Sequence, residues 1–464
     1  MQVTTPTPRA APALARPPAE DATTDRISPR TRRALAWIGL TAIVVGVALL
    51  VAFAADSPTV YVPASLRGGF PAWLSGPLHG LAIGRLSTHR FQDLLVLVCV
   101  GYGLVLVAGD RASLRGVAVA VVAAHLILFL GPPLLSQDVF GYLSFARLGA
   151  LHGLDPYNHA SAAVPLDPVY RFLGWRTVDS PYGPLYTLAS YALTPLGVSS
   201  GLWALKAIAV SASLATVAIV ARAARVLGRS PAQAAALVGC NPVLLLDAVG
   251  GFHNDTLIAA LLASVLLFAA LVHYGRAVAA LVVAIGIKLS AGLVLPFLLL
   301  APADSRERAR LLTIALCGLA VVTVLAAIAF GPHAFAFANS IQGEQQMVAT
   351  HSVPNELARL VGLGTVSALP AWWRDLFVAG FIVVVGVGLW RTAHGGDWRA
   401  AAGWATVALI VSTAWLLPWY VIWALPFAAL VDDRRLRATI LALCFYAVLI
   451  RLPVASGLLG GRRS

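Results

Sequence analysis

Apolar residues run in long unbroken stretches along this chain, separated by short polar clusters in which arginine dominates. Many stretches approach the roughly 20 residues a helix needs to cross a 30 Å hydrocarbon core. They do not alternate with period two, which excludes barrel strands, and a bilayer leaves helices as the other way to satisfy the backbone. The pattern predicts crossings over 34–53, 91–108, 116–130, 201–220, 234–249, 256–272, 311–330, 376–390, 401–417, 419–430 and 438–449. The fold class is therefore all-α: a polytopic transmembrane bundle of about 11–13 membrane segments once short or re-entrant pieces are included.

Arginine sets the expected orientation. Arg30, Arg32 and Arg33 precede the first span and place the N-terminus in the cytoplasm. Alternation then puts 20 of the 31 arginines inside and leaves large outer loops at 56–90, 135–200 and 331–373. Residues 1–33, rich in Pro, Ala, Thr and charge, read as a disordered cytoplasmic tail, and 34–464 as one membrane domain. Two segments resist simple alternation. The run 184–195 is too short to cross and reads as re-entrant or interfacial. The run 277–300 is followed by Arg306, Arg308 and Arg310, which one crossing would place outside. A hairpin turning at Lys288 keeps both ends inside. No large inverted repeat of the transporter kind is visible.

Composition agrees with a membrane protein. Hydrophobic types make up 59% and charged types 11%, against about 25% charged in soluble domains, and the mean hydropathy is +0.82. The net charge of +13 reflects span-end arginines meeting anionic headgroups, not a nucleic-acid surface. Lysine occurs only as Lys206 and Lys288, an arginine bias of the kind GC-rich genomes impose. Lys206 lies near a span end and suits snorkelling. Cys99, Cys240, Cys317 and Cys444 all fall in apolar runs without metal spacing and read as core residues.

Titratable and aromatic residues gather in the outer segments. Ser136-Gln-Asp-Val-Phe-Gly-Tyr142, Gly153-Leu-Asp-Pro-Tyr157 and Asp179-Ser-Pro-Tyr-Gly-Pro184 supply Asp138, Asp155 and Asp179 beside Tyr142, Tyr157 and Tyr182. Carboxylates accept sugar hydroxyls while rings cover the apolar sugar face. Asp138, just past a span, suits a general base; helix capping with Ser136 explains it equally. Asp155 and Asp179 precede turn-forming Pro segments, and turn initiation competes with substrate contact. Gly250-Gly-Phe-His-Asn-Asp255 presents His253, Asn254 and Asp255, too few ligands to argue a metal and open to helix capping, with substrate contact the preferred reading. Lys288 inside an apolar run suits a lipid phosphate, a snorkelling lysine or a buried ion pair. His333 and His351 occupy the third outer loop as candidate donor-phosphate contacts. Leu417-Pro-Trp-Tyr-Val-Ile-Trp423 places three aromatics, Trp419, Tyr420 and Trp423, in an interfacial belt or a lipid or sugar groove. No cofactor is implied; a divalent metal has no supporting motif.

These stretches, with Ser180-Pro-Tyr-Gly-Pro-Leu185 and Pro418-Trp-Tyr-Val-Ile-Trp423, resemble the polyprenyl-phosphate-mannose-dependent α-(1→6)-mannosyltransferases of actinobacteria, the MptA/MptB type of GT-C membrane glycosyltransferase. They are spread over most of the chain after the tail. The resemblance implies a GT-C-like fold in the plasma membrane and an extracytoplasmic site. It also implies a polyprenyl-phosphate sugar donor and a lipoglycan or oligosaccharide acceptor. The outer-loop Asp that serves as base in such enzymes corresponds best to Asp138, although here it follows the third span and not the first. A transporter or flippase for a lipid-linked sugar is the rival class; few mid-span charges besides Lys288 offer it a polar path.

Overall fold

The first helix starts earlier than its apolar run. Ser28 accepts the N–H of Thr31 and Pro29 occupies the first turn, so α1 spans Pro29–Ala54. The end of the supposed tail, from Pro29, is thus helical. The computed structural model describes residues 28–452 apart from 82, 336–346 and 364–368, and residues 1–27 of that tail fall outside the described residues. Among the described residues every regular element is helical.

Close backbone contact joins the first three helices. α2 (Thr88–Ala108) runs antiparallel to α1, and a Cβ on Gly39 would lie 2.5 Å from the Gly101 carbonyl oxygen. Small residues at such crossings let backbones approach where lipid supplies no hydrophobic drive between helices. α3 (Leu114–Leu130) runs parallel to α1, with Gly116 beside Trp37 and Gly131 beside Val51.

The long segment after α3 is folded. It contains α4 (Asp138–His152) and α5 (Pro184–Ser190), and α5 continues through a 3-10 turn, Tyr191–Leu196, into α6 (Gly197–Val226). Lys206 corrects the snorkelling reading: it is fully buried. Its ammonium donates to the Gly131 carbonyl at 2.9 Å and lies 3.3 Å from the Trp203 ring centroid. It therefore caps the orphan end of α3.

α7 (Pro231–Gly239) bends 48° into a π-helical turn, Val243–Val249. Asn241 Oδ1 accepts the N–H groups of Val243 and Leu244 at the bend. α8 (Asp255–Ala270) and α9 (Tyr274–Ile287) follow. At Lys288 the backbone turns extended (φ −152°, ψ 118°), then forms a 3-10 turn, Leu289–Val294, and α10 (Leu295–Leu300) before α11 (Ser305–Phe330). Gly275 packs beside Ile314, and Gly318 beside Val282, so α9 and α11 run parallel. The intervening chain must return to its starting side, which is the hairpin the arginine pattern demanded.

A second half-helix mirrors this one. After α12 (Val353–Leu360), α13 (Ala371–Ala393) and α14 (Trp398–Ser412), a 3-10 turn, Pro418–Ala424, leads into α15 (Leu425–Leu430) and α16 (Arg434–Leu449). The stretches Leu295-Pro-Phe to Asp304-Ser-Arg306-Glu-Arg308 and Leu425-Pro-Phe to Asp433-Arg-Arg435-Leu-Arg437 carry one pattern. In both, the Asp side chain caps the next helix. This short repeat is too small to register as whole-transporter symmetry.

Among the described residues five helical stretches are long and apolar enough to cross a membrane, and the bent pair containing α7 makes a sixth. The predicted crossings at 116–130, 256–272 and 419–430 appear as apolar helices of 10–17 residues, and those at 401–417 and 438–449 fall on α14 and α16. Broken helices are tolerated at membrane depth where they line a cavity. The chain is a multi-pass helical membrane protein. One end of the bundle gathers Arg229, Arg399 and Arg437, with Arg229 3.8 Å from Asp432 and Trp404 donating to Asp433. The opposite end holds the residues considered next.

Candidate active site

Five separate pieces of chain converge on a cavity of ≈ 530 Å³. They are the start of α4, the turn before α5, the start of α8, the Lys288 hairpin tip and the 3-10 turn before α15. Local chemistry places each piece. Ser136 Oγ accepts the Asp138 N–H, so α4 begins at Asp138 with the carboxylate free of capping. Gly183 donates its N–H to the Ile287 carbonyl at 2.9 Å, which docks the Tyr182 turn on the hairpin. A Cβ on Gly183 would lie 2.3 Å from the Gly286 carbonyl, so only glycine permits this approach.

Asp138 lines the cavity with its side chain 12% exposed. Trp175 Nε1 donates to Oδ1 at 3.2 Å, and His253 Nδ1 stands 3.5 Å from Oδ2. Burial pushes the Asp138 carboxyl up to about 6, against the opposing hydrogen bonds from Ser136 and Trp175. It remains mostly ionised at neutral pH yet is basic enough to take a proton.

His253 is fully buried and stacked on Trp419, ring centroids 3.7 Å apart. Neither ring nitrogen has a hydrogen-bond partner, the Asp138 distance being long for one. Burial first, then the charges of Lys288 and Arg451, hold its pKa well below the usual histidine value, so the ring is neutral. Beneath it, Tyr142 donates to Asn254 Oδ1 at 3.3 Å and accepts the Asn254 N–H.

Asp255 does not cap α8 by its side chain, as one reading allowed. Its Oδ1 accepts from Lys288 Nζ at 2.7 Å and from Trp423 Nε1 at 2.8 Å. Lys288 Nζ also lies 4.4 Å from the Tyr420 ring centroid and 4.9 Å from that of Trp423. Lys288 is thus ion-paired and does not snorkel, but 16% of its side chain still faces the cavity. Ser290 Oγ, on the same wall, is buried without a partner.

Of the residues singled out in the sequence, Asp138, Tyr142, Tyr182, Asp255, Lys288, Trp419 and Tyr420 line this cavity. His253 and Asn254 lie directly behind that lining. Asp155, Tyr157, Asp179, His333 and His351 are not among the lining residues. Asp155 Oδ1 accepts the Tyr157 N–H, the turn chemistry its Pro neighbour suggested, and Oδ2 lies 3.2 Å from His333. Tyr157 donates to the Tyr182 carbonyl and so braces the turn from behind. Burial raises the Asp179 pKa, with Asp155 adding to the effect and His159 opposing it. His351 pairs with Glu356 at 2.6 Å.

Trp423, the third aromatic of the 417–423 stretch, joins Trp419 and Tyr420 in the lining. Trp175 and Ser290 join the site without having been singled out, and neither had a signal. Among the described residues no three His, Cys, Asp or Glu side chains form a metal-binding group. Asp138 and Lys288 thus share an aromatic-walled cavity. Leu293, Phe381, Leu409 and Ile410 add apolar side chains to the same lining. A carboxylate poised near neutrality, a paired cation and ring faces suit transfer of a sugar from an anionic leaving group.

Comparison with known proteins points the same way. The family model described as α-(1→6)-mannopyranosyltransferase, N-terminal domain, matches residues 37–304, and the MptB C-terminal domain matches 349–461. The chain is 28% identical over 420 residues to α-(1→6)-mannopyranosyltransferase A of Mycobacterium tuberculosis, covering 82% of this chain and 77% of that one. It is 31% identical over 195 residues to α-(1→6)-mannopyranosyltransferase A of Corynebacterium glutamicum, 40% of this chain and 39% of the relative. With α-(1→6)-mannopyranosyltransferase B of C. glutamicum it shares 24% over 266 residues, 50% of this chain and 40% of the relative. No solved structure matches. The chain belongs to the α-(1→6)-mannopyranosyltransferase family, and it is a membrane glycosyltransferase that transfers mannosyl residues in α-(1→6) linkage.

Proposed function

We propose that the donor is a mannosyl polyprenyl phosphate and the acceptor a mannose-containing oligosaccharide or lipoglycan, joined at the extracytoplasmic face with inversion. The observation that carries this reading is the cavity's mixed lining. Asp138, Lys288 and aromatic rings line it together with Phe381, Leu409 and Ile410 of the apolar helices α13 and α14. A polyprenyl tail would lie along Phe381, Leu409 and Ile410, and its phosphate would sit by Lys288 and the unpartnered Ser290 hydroxyl.

In the step, Asp138 accepts the proton of the acceptor 6-hydroxyl as that oxygen attacks the sugar C1. The C1–O bond to phosphate breaks, and its electron pair leaves with the phosphate. Inversion converts a β-linked donor into an α product. Lys288 stabilises the charge gathering on the leaving phosphate, which it can do while paired because an ammonium carries three donors. Sidedness rests on the arginine-rich end facing the cytoplasm.

The test uses full-length protein in detergent, a synthetic polyprenyl-phosphate mannose and an α-(1→6)-mannoside acceptor. Transfer is expected from the lipid donor and not from a nucleotide sugar, and D138N is expected to lose it. Transfer from the nucleotide sugar alone overturns the donor assignment. Undiminished transfer by D138N overturns the base.

A further inference from the structure

The arginine-rich end of the bundle holds a second cavity, also ≈ 530 Å³, between α2, α7, α15 and α16. Its lining combines the polar Arg229, Arg437, Gln233 and Asp432 with the apolar Val105, Leu237 and Leu441. The two guanidiniums are poorly neutralised. Arg437 commits Nε to the Ala428 carbonyl at 2.9 Å and has no ion pair among the described residues. Arg229 meets Asp432 only at 3.8 Å, and that carboxylate is 90% exposed, so water screens it. Ser230 satisfies the first turn of α7, accepting the Gln233 N–H on its hydroxyl and the Ala234 N–H on its carbonyl, so the cavity's positive charge comes from the two arginines.

We propose that this cavity binds the phosphate headgroup of an anionic phospholipid from the adjoining leaflet. Guanidiniums grip phosphate oxygens in pairs, and basic pockets between membrane helices at the charged leaflet favour such headgroups. The apolar part of the lining explains why a lipid, with tails to lay beside Val105 and Leu441, fits better than a free anion. This site stands apart from the mannosyl-transfer cavity at the opposite end.

Gln233 supplies a clean test. It lies three residues after the Ser230 cap, where a capping box takes Gln or Glu, so Glu at this position preserves α7 while bringing negative charge into the cavity. Full-length protein is delipidated in a neutral detergent and titrated with phosphatidylglycerol, phosphatidylcholine or inorganic phosphate. Bound lipid is read by native mass spectrometry, and melting temperature is followed in parallel. Wild type is expected to retain phosphatidylglycerol over phosphatidylcholine by roughly tenfold. Q233E is expected to lose most of that preference with an unlowered lipid-free melting temperature, and R229Q to weaken it similarly. Equal retention of both lipids, or full preference in Q233E, overturns the site. Stabilisation by inorganic phosphate equal to that by phosphatidylglycerol replaces the lipid with a free anion.

Discussion

Lys288 and Asp255 form a buried ion pair, Nζ to Oδ1 at 2.7 Å, that joins the hairpin tip to the start of α8. Trp423 donates to the same oxygen, so three elements meet on one carboxylate atom. The pair sets the shape of the cavity floor as well as its charge. A lone ammonium would bind phosphate more freely, but in this setting it would also be costly to bury.

The K288M variant leaves Asp255 buried with only an indole partner. A loss of about 3–5 kcal/mol is expected, since removing one member strands the other charge. Adding D255N removes the stranded charge, so the double variant is expected to melt nearer wild type while still failing to transfer mannose. Thermal unfolding in detergent reads the first effect and single-turnover transfer the second. Equal melting of K288M and wild type would show that the pair contributes nothing to the fold.

Asp138 gives a pH prediction. With its carboxyl near 6, the acceptor proton has a ready base above that pH and none below it. The rate is expected to fall about tenfold per pH unit on the acid side of 6. W175F removes a hydrogen bond to the charged form, so its acid limb is expected at higher pH. A profile flat from pH 5 to 8 would contradict this role.

Much of the architecture could be read along the chain because lipid imposes a simple code. Apolar runs gave helices, and the Arg306–Arg308–Arg310 cluster required the turn that Lys288 makes. The motifs at Asp138, His253, Lys288 and Trp419 converge, but nothing local says that Lys288 should choose Asp255. Pairings across so many residues have no periodicity to reveal them. Asp155 behaved as its Pro neighbour suggested, turning the chain. Lys206 deceived in the opposite sense: its nearness to a span end suggested snorkelling, whereas a helix end and three aromatic rings enclose it.

Gly183 links backbone geometry to the site. G183A drives a methyl into the Gly286 carbonyl and must part the Tyr182 turn from the hairpin tip. The spanning helices do not depend on this contact, so membrane insertion and yield are expected to be unchanged. Transfer is expected to fall by about a hundredfold, the scale of a 1 Å misplacement in an active site. Wild-type turnover by G183A would show that the turn's position is not critical.

His253 poses a sharper question, because its ring can act by shape or by its nitrogens. The stack on Trp419 is a shape contact, and phenylalanine fills similar volume without adding charge. H253F is therefore expected to melt within about 1.5 kcal/mol of wild type. The nitrogen nearest Asp138, at 3.5 Å, is too far for a hydrogen bond at rest, but a small shift on substrate entry would close that gap. If it does, H253F lowers the maximal rate with little change in KM and moves the acid limb to higher pH, as W175F does. If the ring serves only to pack, H253F keeps both the rate and the profile of wild type, whereas H253A loses stability and rate together. Comparing the two variants at saturating donor across pH 5 to 8 separates these outcomes.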